Sequence, residues 1–353
     1  DPVGLRRQKG RSACRQSVEC GEADRAVGRH APGTGGAGGT EQQGHEGQRD
    51  QARRVPATTV SSVQHRGIVP PAAHAAPLVK WLGYTPGHVF TTQRVGDPRG
   101  AVVEPFRRRV VFDAAGHVLK TWGTGRFVWS HGIRVDRNGF LWITDGRAKD
   151  GKGQQVFKFT RDGQLLMTLG TAGVAGEGPT TFNGPTDVAV APNGDIFVAD
   201  GHVNARIVKF RADGTFVKAW GRKGSGPGEF DVPHTIFFDS QGRLLVGDRS
   251  NKRIQIFDQD GRFLDQWTQF GSPSGIFIAP DDTLYVVDYN DRMRLFVGSA
   301  RDGSIRATVN NLTLAEGVAV DARGDIYVGE TVPGKTDSGL ITGHMVRKLE
   351  RVR

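Results

Sequence analysis

The sequence predicts an all-β protein: a six-bladed β-propeller preceded by a disordered N-terminal segment. The first observation is the stretch from Pro185 to Gly221, PTDVAVAPNGDIFVADGHVNARIVKFRADGTFVKAWG, which reads as four short apolar or alternating runs. PNGD, a longer loop and ADG separate the runs, and each supplies a Gly, Asn or Asp that tolerates positive φ, so the stretch predicts one four-stranded antiparallel sheet. The second observation is that the pattern recurs. HGIRVDRNGFLWITD with QVFKFTRDGQLLMTLG (131–170), PHTIFFDSQGRLLVGDRSNKRIQIFDQDGRFLDQW (233–267), PSGIFIAPDDTLYVVD (from Pro273) and AEGVAVDARGDIYVGE (from Ala315) repeat it. The third is the spacing: His131, Thr186, His234, Ser274 and Glu316 are equivalent, at steps of 55, 48, 40 and 42 residues. A four-strand repeat of roughly 40 to 50 residues is the sequence mark of a propeller blade. Variable steps then correspond to loop insertions, which cost little.

In chain order, residues 1–76 are rich in Gly, Arg, Gln and Ala and poor in large apolar residues, a composition that predicts disorder. The propeller domain is expected over 77–353. Its first blade is a weakened copy, LVKW, YTPG, HVFTTQ, RRRVVFDAAG and HVLKTWG, ending at Gly123. With the five clear copies this makes six blades, and ring closure removes the open sheet edges that invite aggregation.

Composition fits a turn-rich β protein, with 50 Gly in 353 residues. Net charge is +10 overall and +6 without residues 1–76, which is not the dense basic stripe of a nucleic-acid groove. Cys14 and Cys20 both lie outside the repeats, so neither a disulfide framework nor a cysteine zinc cluster holds the fold. No apolar run reaches the length of a membrane span. A monomer acting on a small-molecule or peptide substrate is the expected state. A secreted or periplasmic location is the accompanying expectation, although no apolar signal core precedes Ala73–Ala76.

Propellers carry chemistry where inner strands and loops converge on the central channel. The residue opening each inner strand reads Leu78, His131, Thr186, His234, Ser274 and Glu316. Two imidazoles and a carboxylate at equivalent positions face one another across a channel, and they suit zinc or a similar divalent ion. After the second strands come Gln93 and Arg94, Asp145 and Gly146, Asp200 and Gly201, Asp248 and Arg249, Asp288 and Tyr289, and Glu330 and Thr331. The recurrent acid reads as a structural acceptor that holds the loop. Arg94 and Arg249 break the pattern, and a guanidinium at a channel mouth suits a substrate carboxylate.

SHGIRVD, PTDVAVAPNGDIFVADG, NARIVKF and VPHTIFFDSQGRLLVGDRSNKRIQIFDQDG resemble the NHL-repeat propellers, and more narrowly the peptidyl-α-hydroxyglycine α-amidating lyases and their bacterial relatives. The resemblance covers about 77–353. It implies a zinc ion on three His, cleavage of a carbinolamide C–N bond to an amide and glyoxylate, substrate-holding Arg residues, and a Tyr that deprotonates the hydroxyl. His131 and His234 match two metal ligands, Arg249 matches one substrate Arg and Arg94 the other. Two departures stand out. His202, in ADGHVNARIVKF, replaces the Tyr and is expected as general base; Glu316 replaces the third His and is expected as third metal ligand. Gly317 stands where the family places an Asp that helps bind structural calcium. The alternatives are a non-catalytic propeller that binds a peptide or protein partner and, ranked last, a calcium-dependent lactonase-like propeller.

Overall fold

The computed structural model describes residues 65–67, 78–85, 88–94, 108–112, 118–330, 334–335, 341–342 and 346–350; side chains are described at 111, 119–330 and 346–350. The chain divides into two units, Asp1–Arg54 and Val55–Arg353, and the described residues lie in the second. No helix among them is long and apolar enough to cross a membrane.

The repeat folds as an antiparallel four-stranded sheet in sequence order. The copy read first in the sequence forms strands Pro185–Val190, Ile196–Asp200, Arg206–Phe210 and Phe216–Trp220. Its first three strands are buried along almost their whole length and its fourth is half exposed. Sheets at 130–169, 233–267 and 273–309 repeat that order. The last blade is composite: Ala315–Val320, Ile326–Glu330 and Val346–Leu349 are completed by His65–Gly67, which pairs antiparallel with Val346–Leu349. One strand of that blade therefore comes from within the stretch expected to be disordered.

The structure shows five blades, not the expected six. A further four-stranded sheet runs through Leu78–Thr85, His88–Arg94, Arg108–Phe112 and Val118–Trp122, but its connections and most of its side chains lie outside the described residues. It departs from the others where they agree most closely. The five blades end their second strands in Asp145, Asp200, Asp248, Asp288 and Glu330, all with no exposed surface, whereas this sheet has Gln93 and Arg94 there. The anionic acceptor that fastens each blade to its entry loop is missing from it.

The core lies between the sheets. Ala189, Phe197, Ala199 and Ile207 of one blade pack against Phe230, Ile236, Leu244, Val246 and Phe257 of the next, and similar apolar layers join the preceding pair and the later pairs. Hairpin chemistry locks the layers. Gly261 holds φ at +80°, and a Cβ there would come within 2.6 Å of the Trp220 ring, so that turn needs glycine for its backbone and for its neighbour.

Candidate metal centre

Each inner strand begins with a break in register that falls at the residue facing the channel. The breaks lie between Ser130 and Ile133, Pro185 and Asp187, Pro233 and Thr235, Pro273 and Gly275, and Ala315 and Gly317. A β-bulge leaves the extra residue out of the ladder and re-aims its side chain, which is how residues 131, 186, 234, 274 and 316 reach one pore. The same bulges free backbone carbonyls for neighbouring blades. His131 Nδ1 lies 2.8 Å from the Thr186 carbonyl oxygen and His234 Nδ1 lies 2.9 Å from that of Ser274. Thr186 Oγ1 donates to the Pro233 carbonyl at 2.8 Å, and Ser274 Oγ to that of Ala315 at 2.6 Å. A stitch of hydrogen bonds thus runs from blade to blade around the channel.

Those carbonyl contacts set the chemistry of both imidazoles. A carbonyl only accepts, so Nδ1 carries the proton and each neutral ring directs its Nε2 lone pair away from that contact. His202 joins them from the loop after Ile196–Asp200. Its backbone NH donates to the Gly184 carbonyl at 2.9 Å, and its Nε2 stands 2.9 Å from His131 Nε2. The loop reaches this far because Gly201 carries no side chain: a Cβ there would sit 1.9 Å from the Pro233 carbonyl oxygen. Asp200 anchors the loop base by accepting from the Asn183 backbone NH, Asn204 Nδ2 and Arg206 Nε. Burial nonetheless pushes the Asp200 carboxyl above its ordinary value.

The ligand atoms of His131, His202 and His234 all lie within 4.8 Å of one another, and their ring centroids are 4.6 to 5.2 Å apart. Two of the rings are fully buried. Three neutral imidazoles, two of them fixed by backbone carbonyls, suit a divalent ion such as zinc. Trp129 packs against His131 and His202 at 5.0 and 4.9 Å, and the Arg147 guanidinium covers its other surroundings at 4.3 Å from the ring.

Glu316, expected as the third ligand, is buried at its bulge beside Arg249. Its Oε1 is 3.5 Å from Arg249 Nη1. Arg249 stands at the end of the second strand of its blade, with its backbone NH on the Val232 carbonyl and its guanidinium 5.0 Å from the Tyr289 ring. Burial lowers its pKa, opposed by the charge of Glu316 and by Tyr289. The side chain of Arg94 lies outside the described residues; its backbone pairs with Leu78. Trp129 carries no signal in the repeat pattern. Tyr289 stands at the position after the second strand, equivalent to Arg249 in the preceding blade.

The described residues do not offer the calcium site that the resemblance implies. Gly317 supplies no side chain, and the oxygens that converge further along the inner strands already hold a cation. Arg134 donates to the carbonyls of Ile276 at 3.1 Å and Ile236 at 3.2 Å and pairs with buried Asp187, so its guanidinium ties together four blades.

A model of the NHL repeat matches residues 182–210 and 230–257. Over 149 residues the chain is 40% identical to peptidyl-glycine α-amidating monooxygenase B of Xenopus laevis, a match covering 40% of this chain and 16% of that protein. Over 139 residues it is 40% identical to a probable peptidyl-α-hydroxyglycine α-amidating lyase of Caenorhabditis elegans, covering 38% of each. The matches thus span well under half the length of these relatives. Among solved structures, a gluconolactonase from Xanthomonas campestris superposes with a TM-score of 0.58 at 15% identity, over 83% of this chain and 91% of that one, a likeness of fold alone.

Proposed function

We propose, for a chain that carries NHL repeats and resembles the peptidyl-α-hydroxyglycine α-amidating lyases, a metal-dependent lyase-like function. The substrate class is a peptidyl-α-hydroxyglycine, cleaved at its C–N bond to a peptide amide and glyoxylate. The reaction is redox-neutral: the carbinol C–O–H becomes C=O, the C–N bond breaks, and the hydroxyl proton ends on the amide nitrogen. His131, His202 and His234 hold a divalent ion, most simply zinc, and this convergence of three imidazoles is the observation that supports the reading. Bound there, such an ion supplies Lewis acidity that makes a coordinated hydroxyl easier to deprotonate.

The chain's own residues do the rest. Thr186 and Ser274 hold His131 and His234 in one tautomer through their carbonyls, so the ligand nitrogens are oriented before anything binds. The short Nε2 to Nε2 contact draws His202 into the imidazole cluster, and in this reading it is a metal ligand rather than the general base. Arg249, buried beside the cluster's channel, orients the substrate carboxylate, with Arg94 as its partner in that role.

The test is incubation of the metal-loaded protein with a short peptide ending in α-hydroxyglycine. The reading predicts amide and glyoxylate in equal amounts, lost in His131→Ala and His234→Ala. A protein that retains no transition metal and releases neither product is instead a non-catalytic propeller.

A further inference from the structure

We propose that Glu316 is an internal competitor for the anion site at Arg249: its carboxylate holds the place of a ligand carboxylate, and an acidic ligand binds against it. The inference rests on the reading of Arg249 as the group that meets the substrate's acidic end, and it assigns Glu316 to specificity.

The geometry supports this in three steps. Glu316 enters the channel on the same bulge that aims His131 and His234, yet its described charge partner is Arg249. The two groups are both largely buried, with side-chain exposures of 17% for Arg249 and 5% for Glu316, so each carries a desolvation cost that the other offsets. Their contact of 3.5 Å is too long for a strong hydrogen bond and joins one guanidinium nitrogen to one carboxylate oxygen. A guanidinium offers a two-pronged face to a carboxylate. Glu316 neutralises Arg249 without taking that face in a bidentate grip, so a better-aligned ligand carboxylate competes for it against like-charge repulsion.

The structure also indicates a substitution the fold accepts. The equivalent bulges in neighbouring blades carry Thr186 and Ser274, each buried and each donating its hydroxyl to the next blade. Glu316→Ser therefore places at this position a side chain that the same local backbone already holds elsewhere, and Glu316→Gln keeps the volume while removing the charge.

The experiment measures binding of glycolate, a small α-hydroxy acid, and of its neutral amide glycolamide to the full chain by calorimetry, with metal content determined in parallel. Removing a charge a few Å from the bound anion is expected to tighten glycolate binding about 10-fold or more in Glu316→Gln. Glycolamide affinity and metal content stay at their original values, and adding Arg249→Gln cancels the gain. Glu316→Ser follows the same pattern, so a folding defect in one variant leaves the other to decide. Loss of metal from both variants would make Glu316 a ligand and overturn the proposal. So would glycolate affinity that is unchanged or weaker, including no binding in any form, or a gain that persists without Arg249. If no form holds metal yet the gain appears, the lyase reading fails while the competition between Glu316 and acidic ligands stands.

Discussion

At the scale of single residues, most of the channel's electrostatics is built in. Arg134 is the clearest case, because its guanidinium collects two backbone carbonyls and the Asp187 carboxylate from three other inner strands. Asp187 also accepts from the Thr235 hydroxyl and the Ile236 backbone NH, so the carboxylate is shared between blades. Replacing Arg134 by Met leaves a buried carboxylate without its cation, which costs about 3–5 kcal/mol. Chemical denaturation of Arg134→Met is expected to show that loss, while calcium or its chelator leaves the original protein's midpoint in place. A midpoint that rises with calcium in the original protein would mean that the guanidinium is not the channel's structural cation.

At the scale of the strand and turn, two classes of carboxylate respond oppositely to acid. Asp281 and Asp302 sit in hairpin turns, where the backbone NH of Thr283 and of Ser304 holds each carboxyl below its ordinary value of 3.8. A depressed folded value means stability that is present above 3.8 and is lost as pH falls through the lower folded value. Burial raises Asp200, Asp248 and Glu330, so their contribution has the other sign: full below the ordinary value and lost as pH rises through the raised one. Melting temperature followed from pH 7 downward is therefore expected to fall most steeply once the turn carboxyls titrate, below 3.8, and the double variant Asp281→Asn, Asp302→Asn flattens that limb. A steepest loss between neutrality and pH 5 would contradict this ordering.

Strand and turn chemistry were largely legible in the sequence, because PNGD, ADG and the apolar runs between them are local signals. The four blades within 130–309 begin and end close to where those signals fall. The site was legible in part. His131 and His234 occupy equivalent positions, and aligning the repeats brings them to one channel. Alignment does not reveal which partner each side chain takes once it is there. Glu316 and His202 stand at two non-equivalent positions, and only three-dimensional placement pairs the carboxylate with Arg249 and adds the third imidazole to the other two.

At the scale of the whole molecule, the fold places chemistry by repetition with local exceptions. The five blades contribute equivalent bulges and a buried carboxylate each, four Asp and one Glu, so the channel inherits a ring of equivalent positions. What distinguishes one position from the next is a single side chain. The strand His65–Gly67 lies far from the last blade in sequence and joins it all the same, and no local signal announces a pairing across 280 residues of chain. The sheet at 78–122 shows the complementary limit: it keeps the strand order but carries Gln93 and Arg94 where the five blades carry a carboxylate.

The proposed chemistry depends on three imidazoles sharing one ion. X-ray absorption at the zinc edge of the zinc-loaded chain, compared with His202→Phe and Glu316→Gln, tests it most directly. The prediction is a shell with three imidazole nitrogens, unchanged in Glu316→Gln and reduced by one nitrogen, with weaker retention of the ion, in His202→Phe. A shell that loses an oxygen in Glu316→Gln and keeps all its imidazoles in His202→Phe would contradict it.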